Sequence, residues 1–109
     1  MIVHFLAVAI ACNLSALNHT ERDRLYVLLD KLTTAAVHRQ ELPNGYRYDV
    51  DRQKLSLSEL AEWASLESRC CPFLTFDLQL SSSGVLHFQL TGDADVKQFI
   101  EAEMHRLPK

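Results

Sequence analysis

The strongest constraint on the fold is a hairpin written into residues 74–91. Leu74, Phe76, Leu78 and Leu80 alternate with Thr75, Asp77 and Gln79; the turn-forming run Ser81-Ser82-Ser83-Gly84 follows, and Leu86, Phe88 and Leu90 resume the alternation. Side chains in a strand point to opposite faces in turn, so the leucines and phenylalanines share a buried side while Thr75, Asp77, Gln79, His87 and Gln89 gather on the other. A second hairpin is predicted over Val37–Leu42 and Tyr46–Val50. Pro43-Asn44-Gly45 supplies its turn, with an Asn-Gly pair tolerant of positive φ, and Tyr46, Tyr48 and Val50 alternate with Arg47 and Asp49. The alternative there is a helix continuing to about Gln40, with a single strand after the turn.

Helical spacing occupies the remainder. Asn13 to His19 reads as a turn-rich lead into a helix capped by Thr20, with Glu21 and Asp23 near its positive end and an apolar stripe of Leu25, Leu28, Leu29, Leu32 and Ala36. Ser56-Leu57-Ser58-Glu59 is a capping box that opens a second helix. Its main stripe is Leu57, Leu60, Ala61 and Ala64, continuing to Cys71, with Trp63, Leu66 and Cys70 on an adjoining face. Pro72 disfavours helical geometry at Cys71 and should end the helix there. Asp93 caps a last helix whose stripe is Val96, Phe99, Ile100, Met104 and Leu107.

Helix, hairpin, helix, hairpin, helix predicts one α+β domain over residues 10–109: an antiparallel sheet of about four strands, with about three helices packed on one face. Residues 1–9 stand apart as an N-terminal extension or strand. The other sheet face is left to the N-terminal segment or to a second copy of the chain, which makes a homodimer an expectation.

Composition narrows the partners. A chain of 109 residues with 48% apolar residues, 23% charged, three glycines and three prolines can bury roughly two-thirds of its unfolded surface without disulfide staples. Its net charge of −3 and scattered lysines and arginines offer no basic surface for nucleic acid. Three cysteines, odd in number and few, suit a reducing cytoplasm better than a secreted scaffold. The run Met1 to Cys12 admits a signal peptide ending at a lipid-modified cysteine, but it has no leading Lys or Arg, and about ten apolar residues are too few to span a bilayer. No membrane partner is expected.

The residues that point to chemistry are Cys70-Cys71, at the boundary between helix and strand, and the distant Cys12. Neighbouring cysteines tend to point apart and cannot easily wrap one ion alone. With Cys12 they form a three-thiol set suited to Hg(II), As(III), Cu(I) or, with a fourth ligand such as His or water, Zn(II). A thiol redox pair is a competing reading, with Arg69 close enough in sequence to lower a thiol pKa. Against it, these cysteines lie near a helix C-terminus, where the dipole disfavours a thiolate. Buried cysteines that serve only packing, in a non-enzymatic dimerising or interaction domain, are the third possibility. Weaker candidates are an acid–base group of His87, Asp77 and Thr75, and the core or interface aromatics Trp63, Tyr46 and Tyr48; His4, His19, His38 and His105 have no ligand spacing.

From about Ile10 to Ile100 the chain resembles a family of small uncharacterised bacterial proteins. The likeness rests on Ala11-Cys12-Asn13-Leu14 for an Ala-Cys-x-Leu start, Glu41 to Tyr46 for a Glu-Leu-Pro-Asx-Gly-Tyr turn, Glu67 to Phe73 for a Glu-Arg-x-Cys-Cys-Pro-Phe segment, and Leu90-Thr91-Gly92 for a Leu-Thr-Gly lead into the last helix. Ser68 stands where the pattern has Arg. The resemblance implies that Cys12, Cys70 and Cys71 belong to one shared pattern, with no activity attached. The expectation is a cytoplasmic protein that binds a soft metal or metalloid ion, or another small thiophilic ligand, through those three thiols, with Glu67 or a histidine as auxiliary.

Overall fold

The computed structural model describes residues 12–104. The expected extension over residues 1–9, the signal-peptide reading, His4, His105 and Leu107 lie outside the described residues.

The first helix, α1 (His19–Ala35), is capped by Asn18 rather than Thr20. The Asn18 side chain accepts from Glu21 N at 2.9 Å, and Glu21 Oε1 accepts from Asn18 N at 2.9 Å, a reciprocal capping box. Leu25, Leu28, Leu32 and Ala35 form its buried stripe. The chain then leaves the helix directly into strand β1 (Ala36–Leu42), so the hairpin reading of this stretch holds and the longer helix does not. A register irregularity between Ala36 and His38 leaves Val37 exposed.

Strand β2 (Gly45–Val50) pairs antiparallel with β1. The expected use of a positive φ at Gly45 is not realised; among the described residues only Gly84, in the other hairpin, adopts one. Glycine is required at position 45 for a different reason, because a Cβ there would collide with the backbone of Leu90 and Thr91. Helix α2 (Leu57–Cys70) has the expected Ser56–Glu59 capping box. Its buried face, however, is Leu60, Trp63, Ala64 and Cys70, while Leu57 and Ala61 are exposed. The stripe is rotated because the large indole takes the centre of the core.

Strands β3 (Thr75–Leu80) and β4 (Leu86–Thr91) form the second hairpin, and helix α3 (Ala94–Glu103) follows with Asp93 as its cap. The sheet order is β1-β2-β4-β3, antiparallel throughout, with the second strands of the two hairpins joined at the centre. Tyr48 lies opposite Phe88 in that central pairing and stacks on it at 5.1 Å, and Trp63 meets Phe88 edge-on at 5.3 Å. The helices pack over this apolar face, giving the expected α+β fold with three helices and four strands among the described residues.

Two contacts bring the segment at Cys12 to the end of α2, and a third ties that end to α1. Asn13 N donates to Cys70 O at 2.8 Å, Arg69 Nη2 donates to Ala16 O at 3.1 Å, and the same guanidinium pairs with Glu21 on α1. The C-terminal carbonyls of a helix need outside donors, and here a neighbouring backbone supplies one of them. The site is thus held by backbone and charge on both sides.

Candidate functional site: a sulfur cluster at the end of helix α2

Cys70 is the last residue of α2 and Cys71 its C-cap, with φ −125° and ψ 67°. The proline at position 72 bars the helical conformation at Cys71, so that residue leaves the helical path. The two thiol side chains therefore do not diverge as they would on a continuous helix, and their sulfurs lie 3.8 Å apart. Glu67, four residues before Cys71 on the same helix face, places Oε1 3.1 Å from Cys71 Sγ.

Cys12 closes the group. Its sulfur is bonded to that of Cys71 across 59 residues of sequence, with a Cα–Cα distance of 4.6 Å. Cys70 is the free cysteine among the described residues. Ligand atoms of Cys12, Glu67, Cys70 and Cys71 all lie within 4.8 Å of one another. All four residues singled out in the sequence are thereby brought together, with one correction: Cys12 and Cys71 are joined rather than standing as two separate thiols.

Both members of the vicinal pair are buried, whereas Cys12 and Glu67 are half-buried and border a cavity of about 380 Å³. Cys70 also reaches this cavity, whose walls include Leu25 and Leu29 of α1 and Phe99 and Glu103 of α3. The surroundings resist negative charge. Burial pushes the Cys70 thiol up to about 11, helped by the Glu67 carboxylate. Burial likewise raises Glu67 to about 7, with Glu103 adding to the shift; the Trp63 indole N–H opposes it without reaching hydrogen-bond geometry. A disulfide sulfur has no proton to give, so the contact between Glu67 and Cys71 is a hydrogen bond only when Glu67 is protonated. Once the bond is reduced, the Cys71 thiol can donate to the carboxylate.

The raised Glu67 pKa predicts a pH dependence of stability. Unfolded, the carboxyl titrates near its ordinary 4.5; folded, near 7. The folded state binds the proton more tightly between those values, so stability falls as pH rises through that window and the penalty is full above it. In the disulfide-bonded protein, Glu67→Gln is expected to be more stable than wild type by about 3 kcal/mol at pH 8, with the difference shrinking towards pH 4.5. Urea unfolding at the two pH values checks this; an equal difference at both would show that Glu67 does not titrate with folding.

Arg69 does not attend the thiols. Its guanidinium is committed to Glu21 and Ala16, and its role is to hold the Cys12 segment in place. The register of the sheet spreads the polar face out: Thr75 lies opposite Thr91, Asp77 opposite Gln89, and His87 between Asp49 and Gln79. His87 is itself buried, its Nδ1 has no partner, and burial lowers its pKa, with Arg47 adding to the effect. The cavity, Glu103 and the walls from α1 and α3 are not visible in the sequence. No sequence signal marks them, because they meet Cys70 only through the packing of three separate helices.

No helix among the described residues is long and apolar enough to cross a membrane. No protein-family model matches the chain, and comparison with curated proteins and with solved structures gives no match in either case.

Proposed function

We propose that, with Cys12 and Cys71 reduced, the thiols of Cys12, Cys70 and Cys71 hold one soft metal or metalloid ion, with Glu67 as an auxiliary group. The observation that carries this reading is the convergence of four ligand atoms within 4.8 Å. The 3.8 Å between the Cys70 and Cys71 sulfurs supports it. Two thiolates, each about 2.3 Å from a shared tetrahedral ion, stand about 3.8 Å apart.

Charge selects among Zn(II), Cu(I), Hg(II) and As(III). Three thiolates leave Zn(II), Cu(I) or Hg(II) in a net anionic complex, and burying an uncompensated anion beside Glu67 and Glu103 is costly. As(III) forms three bonds to sulfur and leaves a neutral complex, so it fits this half-buried acidic setting best. Arsenous acid and three thiols give the trithiolate and three waters with no change of oxidation state.

The disulfide then acts as a gate, since a bonded Cys12–Cys71 pair cannot ligate. In a reducing cytoplasm that bond would be transient. Native mass spectrometry with arsenite tests the reading. The phosphine-reduced protein is expected to take up one arsenic with loss of three protons, and the oxidised protein none; equal uptake by both, or none by the reduced form, would count against it.

The Cys12–Cys71 bond also favours a second reading, thiol–disulfide exchange, in which the Cys70 thiolate attacks the neighbouring sulfur of Cys71, breaking the bond to Cys12 and releasing Cys12 as the thiolate. The high pKa of Cys70 and its place at a helix C-terminus both weaken that nucleophile. Slow alkylation of Cys70 at neutral pH would set this reading aside.

A further inference from the structure

We infer that the reduced site accepts arsenic bearing an organic substituent: a monoaryl trivalent arsenical held by Cys12 and Cys70, with its ring in the adjoining cavity. The inference rests on the arsenic reading above and adds a substrate class to it.

The cavity supports it by what it contains and by what it excludes. Cys12 and Cys70 border it and Cys71 is not among its walls, so two cysteines whose sulfurs lie within 4.8 Å of each other adjoin the same space. Beyond them the walls are mainly apolar, built from Leu14, Leu25, Leu29 and Phe99, with Tyr26 at the exposed side of α1 and the carboxylates of Glu67 and Glu103 as the polar part. At about 380 Å³ the space lies at the small end of ligand pockets, about 300–1,000 Å³, which suits a ligand built around one ring. A bare ion would leave that apolar volume unused. Anionic low-molecular-weight thiols would meet Glu67 and Glu103, whereas a hydrated aryl arsenical, with two hydroxyls on arsenic, is neutral.

The binding step balances without further reactants once the thiols are free. Two As–O bonds break and two As–S bonds form; the thiol protons leave with the hydroxyls as two waters, the carbon–arsenic bond persists, and arsenic stays trivalent. Freeing Cys12 from Cys71 takes two electrons from a reductant. In the experiment this is a phosphine, which becomes the phosphine oxide while both sulfurs are protonated from water.

Phenylarsine oxide and methylarsine oxide test the inference, because each uses two thiols and they differ only in the substituent. Affinities are measured on the phosphine-reduced protein, relative to the same two probes on a small-molecule dithiol. Ring burial should make the phenyl probe about tenfold tighter than the methyl probe. Leu29→Gln and the milder Tyr26→Ser, which alters an exposed wall residue, should reduce that gap. Both variants should keep arsenite affinity within about twofold of wild type, since neither residue supplies a ligand atom. A phenyl probe no tighter than methyl, or a gap untouched in both variants, would overturn the organic-substituent inference while leaving arsenite binding standing. Failure of arsenite itself to bind, with the phenyl probe still bound, would overturn the three-thiol reading and keep the cavity site.

Discussion

Replacing Cys12 with serine is expected to lower the affinity of the reduced protein for arsenite by about a hundredfold or more, a larger effect than removing a group that merely orients a ligand. The prediction follows from position. Cys12 comes from a segment far from α2 in sequence, and its sulfur completes a group in which Cys70 and Cys71 supply only two thiols. The hydroxyl of serine is a poor substitute for a soft ion. Because Cys12 is half-buried, and Asn13 and Arg69 continue to anchor its segment, the reduced variant should unfold at nearly the urea concentration of reduced wild type. Arsenite titration and urea unfolding on the same samples separate the two roles. Unchanged affinity would remove Cys12 from the site, and a large loss of stability under reducing conditions would make it a packing residue.

Reducing the Cys12–Cys71 bond should itself cost about 3–4 kcal/mol of stability, the second large effect. The bond links residues 59 apart. Closing a loop of that length removes chain entropy from the unfolded state worth about 4 kcal/mol. For a domain of this size such a loss lowers Tm by more than about 10 °C. Thermal unfolding with and without phosphine measures it, and Cys12→Ser under oxidising conditions should behave like reduced wild type. If phosphine changes nothing, the two sulfurs are not bonded in solution and the proposed gate does not exist. Arsenic bound to the reduced protein would restore part of the lost stability by mass action.

How much of this was legible in the sequence depends on how local each signal is. The hairpins, the Ser56–Glu59 box and the stop at Pro72 rest on neighbours within a few residues, and the structure has them where the patterns put them. The cap of α1 was equally local and was misplaced. Asn18 and Glu21 form the same kind of box as Ser56 and Glu59, but Thr20 also has a capping side chain and lies closer to the apolar stripe. The face of α2 was misjudged because spacing alone does not say that Trp63 would fill the space over Phe88.

The candidate site divides in the same way. Glu67, Cys70 and Cys71 meet because they share one helical turn and its break, which the sequence displays. The bond between Cys12 and Cys71, the diversion of Arg69 to Glu21, and the approach of Glu103 and Phe99 are products of tertiary packing. Spacing along the chain carries no record of them. The same packing supplies the low-polarity surroundings that push up Cys70 and Glu67 and so favour a neutral complex.

X-ray absorption at the arsenic edge, on the phosphine-reduced protein loaded with one equivalent of arsenite, reads the atoms bound to arsenic. A first shell of three sulfur neighbours and no oxygen, from Cys12, Cys70 and Cys71, is expected. A shell that retains oxygen, or that is unchanged in Cys12→Ser, would contradict the three-thiol site.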